Sequence, residues 1–355
     1  MPGLSRRGWA TLLFSLGYLA SEAPSQQRGA VDGHRRAGAR MRYLVTGAAG
    51  FIGSHLCEQL IDNGHTVVGV DSFTGYYARR LKEAHVAALA GNDAWRFVEA
   101  DLADMDLTAL LDGVDGVFHL AGQPGVRLSW GEGFASYVQD NIWATQRVFD
   151  AVSTHPTPIP IVCASSSSVY GETTRARIHE TDPVTPVSPY GLTKLACEHL
   201  ARMYRDEHGI LVTCLRYFTV YGPRQRPDMA FSRFIEAARA GRPVQVLGSG
   251  LQTRDFTYVS DVVDATIRAL GAPELVYNIG GGEPASVMEV LTHLGDLVGR
   301  PLPVEHRERA RGDVTHTWAD TERARGDLGW SPGVGLVEGL TAQFAGQAWR
   351  RELTG

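Results

Sequence analysis

The sequence predicts an α/β chain: a doubly wound parallel sheet with a smaller C-terminal α/β domain. Two observations carry this. From Arg42 to about residue 217, short β-rich runs alternate with stretches of helical length or pattern, as parallel strands joined by crossover helices do. After that point the alternation loosens, and Pro, Gly and Arg cluster in YGPRQRPDMA. In order, RYLVTG is a strand, FIGSHLCEQLIDNG a helix closed by Gly64, TVVGVD a second strand, WRFVEAD a third, GVFHLAG a fourth, IPIVCAS a fifth and ILVTCLRYF a sixth. Then come a helix at 229–241, a strand at 244–247, a helix at 259–271, a strand at 275–279, a helix at 286–298 and a last helix near 335–350. One domain thus spans 41–217, with 244–271 returning to it, and 218–243 with 272–350 form the second. The crevice between them is where a ligand is expected.

Composition narrows the function classes. A chain of 355 residues has ample mass for a core. The formal net charge is -5 and there is no long basic run, so nothing points to nucleic acid. The cysteines, Cys57, Cys163, Cys197 and Cys214, form no CxxC pair and each lies in a predicted strand or helix. They read as reduced, buried thiols. No metal site is expected.

The glycines of VTGAAGFIGSHL carry the first chemistry. Gly47, Gly50 and Gly53 fall between a strand and a helix. In a Rossmann-type turn the first permits the bend, the second lets backbone approach a pyrophosphate, and the third allows close helix packing. The helix amino terminus then stabilises phosphate charge. The second strand ends at Asp71, 18 residues after Gly53. A carboxylate there accepts ribose hydroxyls and repels a 2′-phosphate, and no arginine follows until Arg79, so NAD is favoured over NADP. Asp101 and Leu102, after the third strand, suit an adenine contact.

Residues 1–40 differ from the rest. SRRGWATLLFSLGYLASEA imitates a secretory signal but is short for a membrane span. A nucleotide-dependent enzyme outside the cell would lack its cofactor. The expectation is that Met41 is the functional start, that 1–40 is a disordered or misassigned leader, and that the protein is cytoplasmic, with no membrane partner.

SPYGLTKLACEHLARMY reads as a helix with Tyr190 and Lys194 four apart on one face. An unperturbed tyrosine hydroxyl, pKa about 10, is a poor base. A neighbouring ammonium and an oxidised nicotinamide both stabilise its phenolate. The four serines at 165–168 stand where a buried strand ends. One hydroxyl there can hydrogen-bond a sugar oxygen beside Tyr190, completing a dehydrogenase-type site.

GxxGxxG, Asp71, HLAG, SSSSVYG, SPYGLTKLACE, LRYFTVYGPRQRP and TRDFTYVSDVV together resemble the extended short-chain dehydrogenase/reductase family, from about 42 to 345. Within it they resemble nucleotide-sugar 4-epimerases. The resemblance implies Ser166, Tyr190 and Lys194 as the catalytic set, Ser166 standing four before the tyrosine of VYG. It implies an NAD site of Gly47, Gly50, Phe51, Ile52, Gly53, Asp71, Asp101, Leu102, Leu120 and Ala121, with Tyr190 and Lys194. Contacts to UDP fall on Arg254 and on Asp313 or a neighbouring arginine. The family's arginine three before that Asp is Ala310 here, with Arg309 and Arg311 on either side, so Arg311 is assigned with Arg309 as its rival. Related dehydratases carry an Asp-Glu pair after the catalytic hydroxyl and related decarboxylases a Glu just before VYG. Ser167 and Ser168 stand there instead, which leaves epimerisation through a 4-keto sugar.

For the sugar, DSFTGYYARRLKEAHV and AGQPGVRLSW, with Arg127, resemble stretches of UDP-glucuronate 4-epimerases. Hexose epimerases tend to carry Asn where Thr219 stands. Thr219 and Arg226 fall where glucuronate epimerases hold the sugar carboxylate, and an arginine fork suits one. The expected substrate is UDP-glucuronate, converted to UDP-galacturonate, with UDP-glucose or UDP-N-acetylglucosamine as the alternative sugar and a non-catalytic NAD-binding regulator as the alternative class. A homodimer is the expected assembly.

Overall fold

The computed structural model describes residues 39–347. Its main sheet has seven parallel strands in the order β3 (Trp95–Glu99), β2 (Thr66–Asp71), β1 (Arg42–Thr46), β4 (Gly116–His119), β5 (Ile161–Ser166), β6 (Val212–Tyr217) and β10 (Val276–Ile279). Strand order reverses between β1 and β4, so the switch point of this Rossmann-type sheet lies at their carboxyl ends.

Two assignments change here. The strand at 275–279, read into the second domain, extends the main sheet instead: Val276 pairs opposite Cys214 of β6. All four residues of β10 are buried, as a parallel strand covered on both faces requires. The strand at 244–247, read as returning to the first domain, does not. β8 (Val244–Leu247) pairs with β12 (Val304–Arg307) as a separate ribbon. Its alternating buried and exposed residues suit one covered face. Only the following helix, α8 (Val259–Arg268), returns to the sheet.

Helices α1 (Phe51–Asp62), α2 (Arg79–Ala87), α3 (Thr108–Leu111), α4 (Phe134–Tyr137), α5 (Ala144–Ser153) and α6 (Pro189–His208) connect the first six strands. Between α4 and α5 the residues Val138–Trp143 form a π-helical turn. β1 shows how the sheet is covered. Val45 faces a cluster with Leu56 and Leu60 of α1 and Val262 of α8, while its neighbour Leu44 faces Val148, Phe149 and Val152 of α5. The four cysteines lie in this buried interior as free thiols.

The remaining elements form a third core. A three-stranded sheet sets β9 (Thr253–Tyr258) between β7 (Thr219–Tyr221) and β11 (Pro284–Ser286). With it pack α7 (Ala230–Arg239), α9 (Val287–Val298) and α11 (Leu336–Gly346), around Phe231, Phe234, Ile235, Val290, Leu291, Leu294 and Leu340. α10 (Glu322–Leu328) lies against β10 instead. Among the described residues no helix is long and apolar enough to cross a membrane. The leader expectation falls on residues outside those described, apart from 39 and 40.

Candidate active site

One cavity of about 420 Å³ runs along the carboxyl ends of the sheet. It collects Gly47, Gly50, Phe51, Ile52, Gly53, Asp71, Asp101, Leu102, Leu120 and Ala121 at one end. Ser166, Ser167, Ser168, Tyr190, Lys194, Thr219 and Arg226 line it further on.

The cofactor end is shaped by backbone. Gly47 has φ +70, and a Cβ on it would stand 2.7 Å from the Ala121 nitrogen. A Cβ on Gly53 would meet the Gly47 carbonyl at 2.1 Å, so the helix is pressed onto the turn. Gly50, the N-cap of α1, meets only that carbonyl at 3.1 Å and otherwise borders open space. No side chain caps the helix and no acid sits in its first turn. Such an uncapped amino terminus over a glycine cradle fits a pyrophosphate. The Asp71 carboxylate accepts from Ala49 N at 3.2 Å and Phe73 N at 2.8 Å, one bond per oxygen, which leaves a lone pair on each for a ribose. Burial raises its pKa, opposed by Lys82 and those two N–H groups. Arg79, the first arginine after Asp71, is taken up by Glu83 and Glu99. These residues fit a dinucleotide with unmodified ribose.

Two cavity residues here were not read from the sequence. Lys82 is buried and donates to the Thr74 carbonyl at 3.1 Å. Asp140, on the π-helical turn, has its pKa pushed up to about 6, mainly by burial and then by Asp101, with Lys82 opposing. Isolated charged residues inside helical stretches carry no signal that distinguishes them from a solvated face.

The reactive end is built from α6 and the turn after β5. Ser188 caps α6, accepting from Gly191 N at 3.1 Å, and Pro189 takes the first helical position. A Cβ at Gly191 would lie 2.4 Å from the Ser168 carbonyl, so this helix start and the serine turn touch through backbone. Lys194, one turn after Tyr190, donates to the Ala164 carbonyl at 2.9 Å. Burial works against its charge, yet Tyr190 beside it holds the ammonium above the usual lysine range.

The serines divide their work. Ser165 donates to Glu198 at 2.5 Å, and Ser166 caps the 3-10 turn Ser167–Val169 by accepting from Ser168 N at 3.1 Å. Behind them Arg216 forks onto Glu198, Nε at 2.9 Å and Nη2 at 2.6 Å. Its Nη1 donates to the Tyr170 hydroxyl and the Glu180 carbonyl, and Tyr170 donates on to Asn278 at 2.6 Å. Asn141 of the π-helical turn accepts from Gln123 N and donates to the Gln123 carbonyl and to Thr193 on α6. It thereby ties the loop after β4 to the reactive helix.

The remaining residues singled out by resemblance scatter. Arg254 is paired with Asp313, so these two expected UDP contacts hold each other. Arg309 donates to the Asp313 carbonyl and lies 3.5 Å from Glu172. Arg311 is exposed and makes no hydrogen bond or ion pair among the described residues. None of these four lines the cavity, and neither does Arg127, which is exposed on a 3-10 turn at Arg127–Ser129.

Comparison with known proteins agrees with this geometry. The model of the NAD dependent epimerase/dehydratase family matches residues 43–280. An uncharacterized UDP-glucose epimerase of Bacillus subtilis is 45% identical over 309 residues, covering 86% of this chain and 97% of that protein. A UDP-glucuronate 4-epimerase of Thermodesulfobacterium geofontis is 35% identical, covering 84% and 93%. The crystal structure of a UDP-glucuronic acid 4-epimerase from Bacillus cereus, in complex with UDP-glucuronic acid and NAD, superposes with a TM-score of 0.83 at 42% identity, covering 86% and 98%. The chain is a member of the NAD dependent epimerase/dehydratase family, within the extended short-chain dehydrogenases/reductases.

Proposed function

We propose that this protein is an NAD-dependent isomerase that interconverts UDP-glucuronate and UDP-galacturonate through a 4-keto sugar. The observation that carries the choice of sugar is the guanidinium of Arg226, which lines the reactive end of the cavity with Thr219 and the serine turn. An arginine there favours a uronate over a neutral hexose, because a guanidinium edge gains a charge-assisted fork from a carboxylate and only a neutral hydrogen bond from a hexose hydroxyl. The relative from Bacillus cereus, crystallised with UDP-glucuronic acid and NAD, supports the same reading.

When bound along the glycine turn and Asp71, NAD supplies the acceptor and donor of the hydride exchanged with the sugar's C4. Tyr190 takes the proton of the 4-hydroxyl, and Lys194 stabilises the phenolate that does so. The Ser166 hydroxyl holds the same oxygen. The ketone then turns its other face, and Tyr190 returns the proton to complete the inverted alcohol. Thr219 and Arg226 hold the C5 carboxylate through both halves. That grip matters because a 4-keto uronate is a β-keto acid, and fixing the carboxylate keeps its C–C bond out of line with the ketone. Ser167 and Ser168 offer hydroxyls where related dehydratases carry their acid pair, so no carboxyl follows Ser166 to drive elimination. Arg254 and Asp313 are assigned to UDP, either Arg309 or Arg311 to its phosphates, and Arg127 to the substrate.

The second reading is a UDP-glucose 4-epimerase, favoured by the pairing of Arg226 with Asp228. Initial rates on UDP-glucuronate and UDP-glucose decide between them. The uronate is expected to be the better substrate, without release of carbon dioxide, and a faster hexose rate overturns the carboxylate assignment. The protein is further assigned to the cytoplasm, which supplies its NAD, and to a homodimer through the exposed Val138, Trp143, Leu192 and Met203. Cell fractionation and a light-scattering mass test these two points.

A further inference from the structure

Arg226 already has company at the cavity. Its Nε donates to Asp228 Oδ1 at 3.0 Å and its Nη2 to Oδ2 at 2.9 Å, so one edge of the guanidinium is fully used. Its Nη1 makes no hydrogen bond of normal geometry among the described residues, and the guanidinium as a whole bears on the Tyr76 hydroxyl, opposing the rise that burial gives its pKa. The Tyr76 hydroxyl donates to the same Asp228 Oδ2 at 3.2 Å, and the guanidinium carbon lies 5.4 Å from the Tyr76 ring centroid. Tyr76 comes from the segment after β2, the one Asp71 anchors at Phe73 N. On its other side Tyr76 is confined by Gly125, where a Cβ would lie 2.6 Å from the hydroxyl. The three side chains therefore join the cofactor-side loop to the loop that carries Arg226.

The geometry points to Asp228 as a positioning residue for sugar selectivity: with Tyr76 it clamps the Nε–Nη2 edge of Arg226 so that Nη1 and the second proton of Nη2 form the edge offered to the sugar's carboxylate. This rests on the reading that Arg226 receives that carboxylate. Two effects of Asp228 oppose each other. Its charge offsets that of Arg226 and weakens the pull on an incoming anion, while its fork fixes the direction in which the remaining donors point. Orientation wins, because Asp228 is 40% exposed and its charge is screened by water, whereas Arg226 is only 16% exposed and its bonds are made in a sheltered site. A flexible guanidinium would keep its charge and lose its bidentate aim.

The test is KM and kcat on UDP-glucuronate and UDP-glucose for the NAD-loaded wild type, Asp228→Ala, Asp228→Asn and Arg226→Ala. Asp228→Ala is expected to raise KM for UDP-glucuronate about tenfold, the size of a lost charge-assisted hydrogen bond, and to leave KM for UDP-glucose within about twofold. Asp228→Asn, which keeps an acceptor and drops the charge, recovers most of the loss. Equal damage on both sugars marks a merely structural role and overturns the proposal, and so does tighter uronate binding by Asp228→Ala. If Arg226→Ala collapses the uronate preference while Asp228→Ala does not, the clamp alone is wrong. If Arg226→Ala leaves the preference unchanged, the carboxylate reading fails and the clamp with it. Should the Asp228 variants not fold, Tyr76→Phe removes a single hydroxyl, and a KM rise confined to UDP-glucuronate supports the clamp while a rise on both sugars overturns it.

Discussion

Two arginines near the reaction end grip a carboxylate in the same way, Nε and Nη2 onto the two oxygens, and serve opposite ends. Arg216 and Glu198 are each about 6% exposed, and the third nitrogen of Arg216 is satisfied by Tyr170 and Glu180. Arg226 and Asp228 are 16% and 40% exposed, and the third nitrogen of Arg226 makes no hydrogen bond of normal geometry among the described residues, with only the Tyr76 hydroxyl beside the guanidinium. A guanidinium with every nitrogen engaged is framework. One with an edge to spare, at a cavity wall, is equipment for a ligand. The lesson is that a fork by itself says little about role, and the count of donors left over says much more.

Variants can break or sharpen this contrast. The largest effect is expected from Tyr190→Phe, which removes one hydroxyl and leaves each fork its carboxylate: turnover falls by a factor of about 100 to 10,000 while binding of both sugars and thermal stability hold. Retained turnover would move the proton transfer elsewhere. Glu198→Ala attacks the framework fork. It leaves Arg216 buried without its anion, for a loss of about 3 to 5 kcal/mol in unfolding free energy, with the ratio of uronate to hexose KM unchanged in whatever folds. A shift in that ratio instead would show that the two forks are not separate in function. The clamp variants of Asp228, with their smaller tenfold effect on one KM, probe the other fork.

A last effect, one of pH and not of a ligand, concerns a buried group that carries no charge at all. His119 bridges Thr46 at 2.8 Å and Thr145 at 3.0 Å, and burial, then Lys194, lowers its pKa to about 3. The unfolded chain takes up its proton near pH 6.5 and the folded chain does not, so stability is lost as pH falls below 6.5 toward 3. The advantage of the wild type over His119→Gln should therefore shrink by about 2 kcal/mol between pH 6.5 and 5, read as unfolding midpoints in denaturant. Comparing with the variant removes the opposite contributions of Asp140 and Asp255, both raised to about 6 by burial. A constant difference across that range would show that His119 is charged in the fold.

How far the sequence could be read follows the same division. The cofactor end is made by backbone geometry, and the spacing of Gly47, Gly50 and Gly53 encodes that directly. The SPYG start of α6 was legible too, since capping and the four-residue step to Lys194 are local. What the sequence could not reveal depends on distant pairs. Tyr76 meets Asp228 across 152 positions, and Arg254 meets Asp313 across 59. β7 and β11, at three residues each, are too short to show a period, and β12 reads as a polar, exposed run. β10 sits elsewhere than expected because a short β-rich run, VYNI, states that it is a strand and not beside which other strand it lies. Likewise nothing in four identical serines says that all four border the cavity while Ser165 donates to Glu198 and Ser166 caps the turn that follows.

The π-helical turn at Val138–Trp143 also sets a limit on how the gene can change. It holds one residue more than an α-helical turn would, and Asn141 within it is fastened to Gln123 and Thr193. Losing a single residue there would rotate one flank against the other by about 100°, carrying Asn141 off one anchor or dragging α4 out of place. Substitution is a milder event, for it leaves the length of the turn and the register of its backbone in place. The segment should therefore tolerate spelling changes and refuse changes of length, so that among natural variants gaps fall in loops such as 88–94 and stay out of 138–143.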